Sequence, residues 1–129
     1  MPTVLLVEDN EMNRDMLSRR LAKKGFAVEI AEDGEQAVAM AGGVHPDIVL
    51  MDMSLPKMDG LEATRRIKAD LALQRIPVIV LTANATVTDR ENALAAGCND
   101  FETKPVNLPQ LLEKMQACLA APQRSSAAE

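Results

Sequence analysis

Three acidic residues follow directly on two apolar runs. Glu8 and Asp9 come after Thr-Val-Leu-Leu-Val (residues 3–7), and Asp52 comes after Asp-Ile-Val-Leu-Met (residues 47–51). Like charges about 4 Å apart repel by roughly 4 kcal/mol at an effective dielectric of 20. Acids kept together at that cost call for a cation, and for the use of one of them as a nucleophile. Thr82 ends a third apolar run, and Lys104 comes just after a short expected strand at 100–102. Glu8, Asp9 and Asp52 set against Lys104 leave two negative charges, the charge of one divalent ion. Oxygen donors without His or Cys favour a hard ion that keeps sites for water and a phosphoryl oxygen, which describes Mg²⁺. In that scheme Asp52 is the covalent acceptor of a phosphoryl group. The ion and Lys104 stabilise the developing charge, and Thr82 supplies a hydroxyl donor.

Each residue also has a plainer reading. An aspartate after a strand is more often a turn former or a helix cap. That suits Asp33 and Asp59, each followed by Gly, but fits Asp52 poorly, because Met-Ser-Leu-Pro follows it with no helix start. Thr82 alone reads as a strand-end hydroxyl and Lys104 alone as a surface lysine. Their placement at successive strand ends is the informative part. Other phosphate chemistries lack their parts. The loop after the first strand has neither G-x-G-x-x-G nor G-x-x-x-x-G-K-[ST], so dinucleotides and P-loop nucleotides have no cradle. A haloacid-dehalogenase-like phosphatase expects its nucleophile after the first strand with a second acid two residues on; here Asn10-Glu11 follows Asp9, and Ser54 stands two after Asp52.

The elements that must position these groups alternate. Strands are expected at 3–7, 27–31, 47–51, 77–81 and 100–102. The first helix starts near Glu11 with Met12, Met16, Leu17 and Leu21 inward and stops at Gly25. The second spans 35–41 and ends at Gly42-Gly43; the third opens at Asp59-Gly60; the fourth covers 87–96 with Gly97 as its stop. The fifth has a capping-box-like start at Asn107 and Gln110, then Leu108, Leu111, Leu112, Met115 and Leu119 at helical spacing. Strands alternating with helices give an α/β fold, a doubly wound parallel sheet. The first, third and fourth strands are continuous apolar runs and should be central. Glu29 in the middle of the second suits an edge. Ligands of such sheets bind at the carboxyl ends of the strands, where the acids, Thr82 and Lys104 converge.

With 129 residues, 47% of them hydrophobic, the chain makes one domain, expected over 1–121, with 122–129 as a frayed tail or linker start. A net charge of −5 argues against direct binding of nucleic acid. No apolar run spans a membrane and no secretory leader is visible, so a cytoplasmic protein is expected. Cys98 and Cys118 read as buried free thiols, and His45 has no metal-ligating neighbour.

The residues resemble the response-regulator receiver domain of bacterial two-component signalling. The motifs are Leu-Val-Glu-Asp-Asn (6–10), Met-Asp-Met-Ser-Leu-Pro-Lys-Met-Asp-Gly (51–60), Leu-Thr-Ala (81–83) and Thr-Lys-Pro (103–105), within a match over about 3–119. The resemblance implies a flavodoxin-like sheet of order 2-1-3-4-5 flanked by five helices. It implies Asp52 as phosphoacceptor, Asp9 and Asp52 as direct Mg²⁺ ligands, Glu8 acting through water, and the Ser54 carbonyl as a further ligand. Thr82 and Lys104 would contact the phosphoryl group, and Lys104-Pro105 would be a cis peptide. Ser54 and Asn84 fall where the family flanks the attacking water. Phe101 falls at the family's aromatic switch, a role compatible with its reading as a core aromatic. The donor would be a phosphohistidine on a sensor histidine kinase or phosphotransfer protein. The output would be a downstream protein target bound through the face of helix 4, strand 5 and helix 5. Such a chain is a signalling phosphoacceptor that catalyses only its own phosphorylation and dephosphorylation. A single-domain regulator is expected, with a receiver cut from a larger regulator or hybrid kinase as the alternative. A phosphorylation-independent adaptor is a third reading, disfavoured because the acceptor-site residues are present.

Overall fold

Every strand of this chain ends near one rim, because all five run in the same direction. In the computed structural model, which describes residues 2–53, 55, 58–83 and 86–120, the strands are β1 (Thr3–Val7), β2 (Ala27–Ala31), β3 (Ile48–Asp52), β4 (Val78–Thr82) and β5 (Asp100–Thr103). They form one parallel sheet in the order β2-β1-β3-β4-β5, the order the resemblance implies. The helices between them are α1 (Glu11–Lys23), α2 (Gly34–Val44), α3 (Gly60–Ala69), α4 (Val87–Ala96) and α5 (Leu108–Ala120). Residues 121–129, which include the expected tail, lie outside the described residues.

Alternation along the strands builds two cores. Leu5, Val7, Val49, Met51, Val78 and Val80 face α2, α3 and α4, meeting Ala37, Ala41, Ala63, Ile67 and Ala93. Val4, Leu6, Ile48, Leu50, Ile79 and Leu81 face the other way, against Leu21 of α1 and Leu111 and Met115 of α5. Because β1, β3 and β4 are covered on both faces, their apolar runs are fully buried, as expected of central strands. Glu29 is exposed on the edge strand β2.

The loops at the carboxyl rim are pinned by helix caps. The side chains of Asn10, Asp33, Asp59 and Thr86 accept the N–H groups of Asn13, Gln36, Glu62 and Asp89, and Asn107 accepts that of Gln110. Each such cap contributes about 1 kcal/mol, and each fixes where a loop carrying rim residues ends. The plain reading of Asp33 and Asp59 therefore holds. On the opposite rim Lys68 acts as a staple. Its ammonium donates to the carbonyls of Gln74 and Ile76 (3.1 and 2.8 Å) and to Asn99 Oδ1 (2.9 Å), which also accepts the Val78 N–H.

Several expectations need correction. Strands β3 and β4 begin one residue later than expected. Pro77 has no N–H for the ladder, and the Asp47 carboxylate instead accepts the Thr3 N–H at 2.7 Å. Helix α2 runs through Gly42-Gly43 and stops at His45, whose φ of 52° is left-handed. Pro46 enforces this stop, since the residue before a proline avoids the helical region. In α1, Met12 and Met16 are not inward: they are 73% and 50% exposed, whereas Leu21 is buried. The first turns of α1 start at the rim, where the apolar strand faces end. Both cysteines are free. Cys98 is buried, which pushes its thiol up to about 11, and Cys118 is half-buried.

Gly60 lies against the functional strand. A Cβ there would overlap the Asp52 carbonyl, while its N–H donates to the Met53 carbonyl at 3.0 Å. Gly60→Ala should therefore lower stability in urea denaturation by about 1–3 kcal/mol, the range for forced overpacking. Gly42 is helical with nothing near its missing Cβ. Gly42→Ala should raise stability by about 0.5–1 kcal/mol.

Candidate functional site

Register brings the acids together. β1 pairs with β3 as Val7↔Met51, so the next step sets Glu8 beside Asp52. β4 lies on the far side of β3, with Asp52↔Leu81, and β5 beyond it, with Thr82↔Thr103. Lys104 leaves the end of β5, its N–H held by the Thr82 carbonyl at 2.6 Å. Its side chain must then reach across β4, a span that suits a four-carbon stem. The ammonium lies 3.1 Å from Asp52 Oδ2 and 3.1 Å from Glu8 Oε1. Side-chain exposure is 24% for Lys104 against 5% for Glu8 and 7% for Asp52, so the cation is the part of this triad open to solvent. The Lys104-Pro105 peptide is cis.

The electrostatics reflect one cation shared by two buried acids. Burial and the neighbouring Asp52 charge push the Glu8 carboxyl above its usual range, although Lys104 and the Asn10 N–H pull the other way. For Lys104 burial alone would lower the ammonium, but Asp52 and Glu8 together hold it above its ordinary value. The lysine is favoured by two carboxylates, whereas for Glu8 the attraction of Lys104 does not offset burial and the Asp52 charge. Exposed Asp9 adds a third acid. Carboxylate oxygens of Glu8, Asp9 and Asp52 lie within 4.8 Å of one another, so one ion could touch all three. Oxygen donors, one of them open to water, fit Mg²⁺.

The surroundings tie this cluster to the rest of the fold. Glu8 Oε2 accepts the Asn10 N–H at 3.2 Å. Arg14, early in α1, donates to the Glu8 carbonyl at 3.1 Å and approaches that of Asp9 at 3.5 Å. Thr82 is buried as the last residue of β4. Phe101, half-buried, packs against the same core as Val78 and Val80, the face that Thr82 shares by alternation. Two cations lie over its ring, with Arg90 Cζ 5.1 Å and Lys114 Nζ 5.6 Å from the centroid. Lys114 also donates to the Phe101 carbonyl at 2.6 Å and lies 2.9 Å from the buried Glu102 carboxylate.

The structure thus brings Glu8, Asp9, Asp52 and Lys104 together and places Thr82 and Phe101 on the adjoining strands. Ser54 and Asn84 lie outside the described residues. Sequence reasoning missed Arg14 and Lys114. Arg14 carried a signal, because a cation near a helix N-terminus runs against the helix dipole. Lys114 carried none, since its partners are distant in sequence.

Without divalent ion, the folded state holds the Glu8 proton to higher pH than the unfolded chain, whose value is near 4.5. Stability from this group is present at low pH and is lost as pH rises through the folded-state pKa. In EDTA, thermal melts should therefore show Glu8→Gln gaining on the wild type as pH is raised from about 5 to 8. The opposite trend would mean that the Lys104 attraction outweighs burial.

Comparison with known proteins places this site in context. The sequence profile of the response regulator receiver domain matches residues 4–116. The polar-differentiation response regulator DivK of Brucella ovis is 36% identical over 117 residues, 91% of this chain and 95% of that protein. Response regulator MprA of Mycobacterium bovis is 36% identical over 126 residues, 98% of this chain and 54% of that protein. The chain therefore spans about half the length of the MprA relatives it matches. Among solved structures, the receiver domain of a sensor histidine kinase from Pseudomonas aeruginosa PAO1, with a magnesium ion in its active-site cleft, superposes with a TM-score of 0.87 at 42% identity. That match covers 93% of this chain and 98% of the other. Chemotaxis protein CheY4 of Vibrio cholerae gives 0.87 at 30% identity over 92% of this chain and 99% of its own. Receiver domains are signalling phosphoacceptors that engage histidine kinases and downstream targets. Among the described residues no helix is long and apolar enough to cross a membrane. A profile match over most of the chain, and a relative 36% identical along nine-tenths of it, make this chain a member of the response regulator receiver domain family of two-component signalling.

Proposed function

We propose that Asp52 accepts a phosphoryl group from a phosphohistidine donor, that Lys104 and the acids Glu8 and Asp9 make this transfer possible, and that Thr82 contacts the phosphoryl group once it is bound. The observation that carries the reading is the Lys104 ammonium within 3.1 Å of both Asp52 and Glu8 in an acidic cluster. An Asp52 carboxylate oxygen forms the new P–O bond as the donor's P–N bond breaks, and the electron pair leaves with the imidazole. Later attack by water on phosphorus restores the carboxylate and releases inorganic phosphate. Glu8, Asp9 and Asp52, with the Ser54 carbonyl as a further donor, would hold Mg²⁺. The bound ion would neutralise charge shared between the carboxylate and the phosphoryl oxygens. Lys104 moves its donors from carboxylate to phosphoryl oxygen without crossing the site, and the Thr82 hydroxyl donates to another such oxygen.

The donor is a protein in this reading, a sensor histidine kinase or a phosphotransfer protein, and the reaction is cytoplasmic. Exposed Met12 and Met16 support a docking rim beside the acceptor, because flexible thioethers suit an adaptable apolar contact. A groove of about 580 Å³ lined by Met16, Leu17, Lys104, Pro105 and Val106 opens next to Glu8 and has room for an imidazole-bearing side chain. The output is a contact through the α4–β5–α5 face, where Arg90 and Lys114 lie over the Phe101 ring. A phosphoryl group draws the Thr82 hydroxyl inward and vacates space that the Phe101 ring fills. The shift is limited to the difference in phosphoryl affinity between the two ring states.

Incubation with acetyl phosphate and Mg²⁺ should add one base-labile phosphoryl group, read by intact-mass spectrometry, and Asp52→Asn should abolish it. Labelling of the variant at the wild-type rate would remove Asp52 from the acceptor role. For the relay, beryllofluoride, an aspartyl-phosphate mimic, should shift amide resonances through residues 87–119. In Thr82→Ala those shifts should shrink markedly while phosphorylation persists. Shifts of full size in the variant would refute the coupling through Thr82.

A further inference from the structure

Arg14 is a cation in an unexpected place. It lies one turn into α1, where the helix dipole disfavours positive charge, and its side chain is only 17% exposed. Its guanidinium does not touch the carboxylates of the acidic cluster. It donates instead to the backbone carbonyl of Glu8 at 3.1 Å and approaches that of Asp9 at 3.5 Å. Both carbonyls belong to the turn in which β1 gives way to α1 and ladder pairing runs out. The other guanidinium nitrogen lies 3.9 Å from Glu32 in the turn between β2 and α2, a long contact with a carboxylate 61% exposed. Such an exposed pair contributes little. The backbone contacts are the ones that matter.

We propose that Arg14 is a positioning residue for the divalent cation: by bonding the Glu8 carbonyl and nearing that of Asp9, it fixes the turn that presents both carboxylates. The inference rests on the reading of the acidic cluster as a Mg²⁺ site. Its physical content is that preorganisation outweighs charge. A positive guanidinium beside a cluster of acids weakens attraction for a dication, so electrostatics alone says that removing it tightens binding. A clamp whose loss lets two adjacent acids spread apart says the reverse, as for groups that orient metal ligands from behind. The two effects have opposite signs, so one titration separates them.

The test is a Mg²⁺ titration followed by backbone amide shifts, with urea melts run in parallel, on wild type, Arg14→Ala, Arg14→Lys and Glu32→Gln. Arg14→Ala should bind Mg²⁺ about tenfold more weakly, the effect typical of an orienting partner. Arg14→Lys keeps the charge, but its ammonium stops about one bond short of the guanidinium nitrogen that contacts both carbonyls, so it should fall between Ala and wild type. Glu32→Gln should bind like wild type. In acetyl phosphate labelling, Arg14→Ala should need more Mg²⁺ for half-saturation yet reach the wild-type plateau, a split that general loss of structure would not give. Should Arg14→Ala melt too early to titrate, the Arg14→Lys affinity decides, since charge alone predicts no change. Equal or tighter binding in Arg14→Ala, or wild-type affinity in Arg14→Lys, overturns the clamp and leaves the Mg²⁺ reading standing. Absence of saturable binding in the wild type overturns both.

Discussion

One ammonium group serves two buried carboxylates, and much of the molecule's architecture exists to make that sharing possible. Lys104 lies 3.1 Å from Asp52 and from Glu8, with Asp9 close by. Among the described residues one lysine is divided between Glu8 and Asp52, so Glu8 stays under the strain that burial and Asp52 impose, while Lys104 is held charged. The site is left attractive to a dication and to a group that brings its own oxygens.

That imbalance is held in place by backbone features well away from the charges. The parallel register sets β1 and β3 side by side, so that the residue after Val7 meets the residue after Met51. Lys104 reaches them from the end of β5, where its N–H is anchored on the Thr82 carbonyl. Gly60 lets α3 start directly against the Asp52 carbonyl, and a cap on each helix fixes where each rim loop ends. The same strand ends lead outward. Thr82 and Phe101 lie on adjacent strands and one face, and Arg90 and Lys114 flank the ring on α4 and α5. A change at the rim therefore has a packed route to a helix surface.

Much of this was legible in the residues themselves. Apolar runs ending in Glu8-Asp9, Asp52 and Thr82 announce central parallel strands with polar carboxyl ends, and Asp-Gly at 33–34 and 59–60 announces capped helix starts. What the sequence could not say is where a helix outruns the sheet. Met12 and Met16 share the spacing of Leu17 and Leu21 but overhang the rim, so the same periodicity yields exposure. Gly42-Gly43 looks like a stop, yet neither takes a positive φ, and Pro46 sets the boundary instead. Lys68 and Lys114 look like surface lysines, but their ammonium groups satisfy carbonyls brought near only by folding. Periodicity reports burial against a plane; it does not report the plane's edge or long-range polar partners.

Among the described residues the rim gathers the acids Glu8, Asp9 and Asp52 around one cation, Lys104, an arrangement that suits one divalent ion. A Mg²⁺ titration of the wild-type protein followed by backbone amide shifts tests it most directly. Binding should be saturable and one-to-one, with the largest shifts at residues 8–10 and 52–53 and the rest of the surface nearly unmoved. Shifts spread evenly over exposed acids such as Glu35 and Glu113, without saturation, would contradict it.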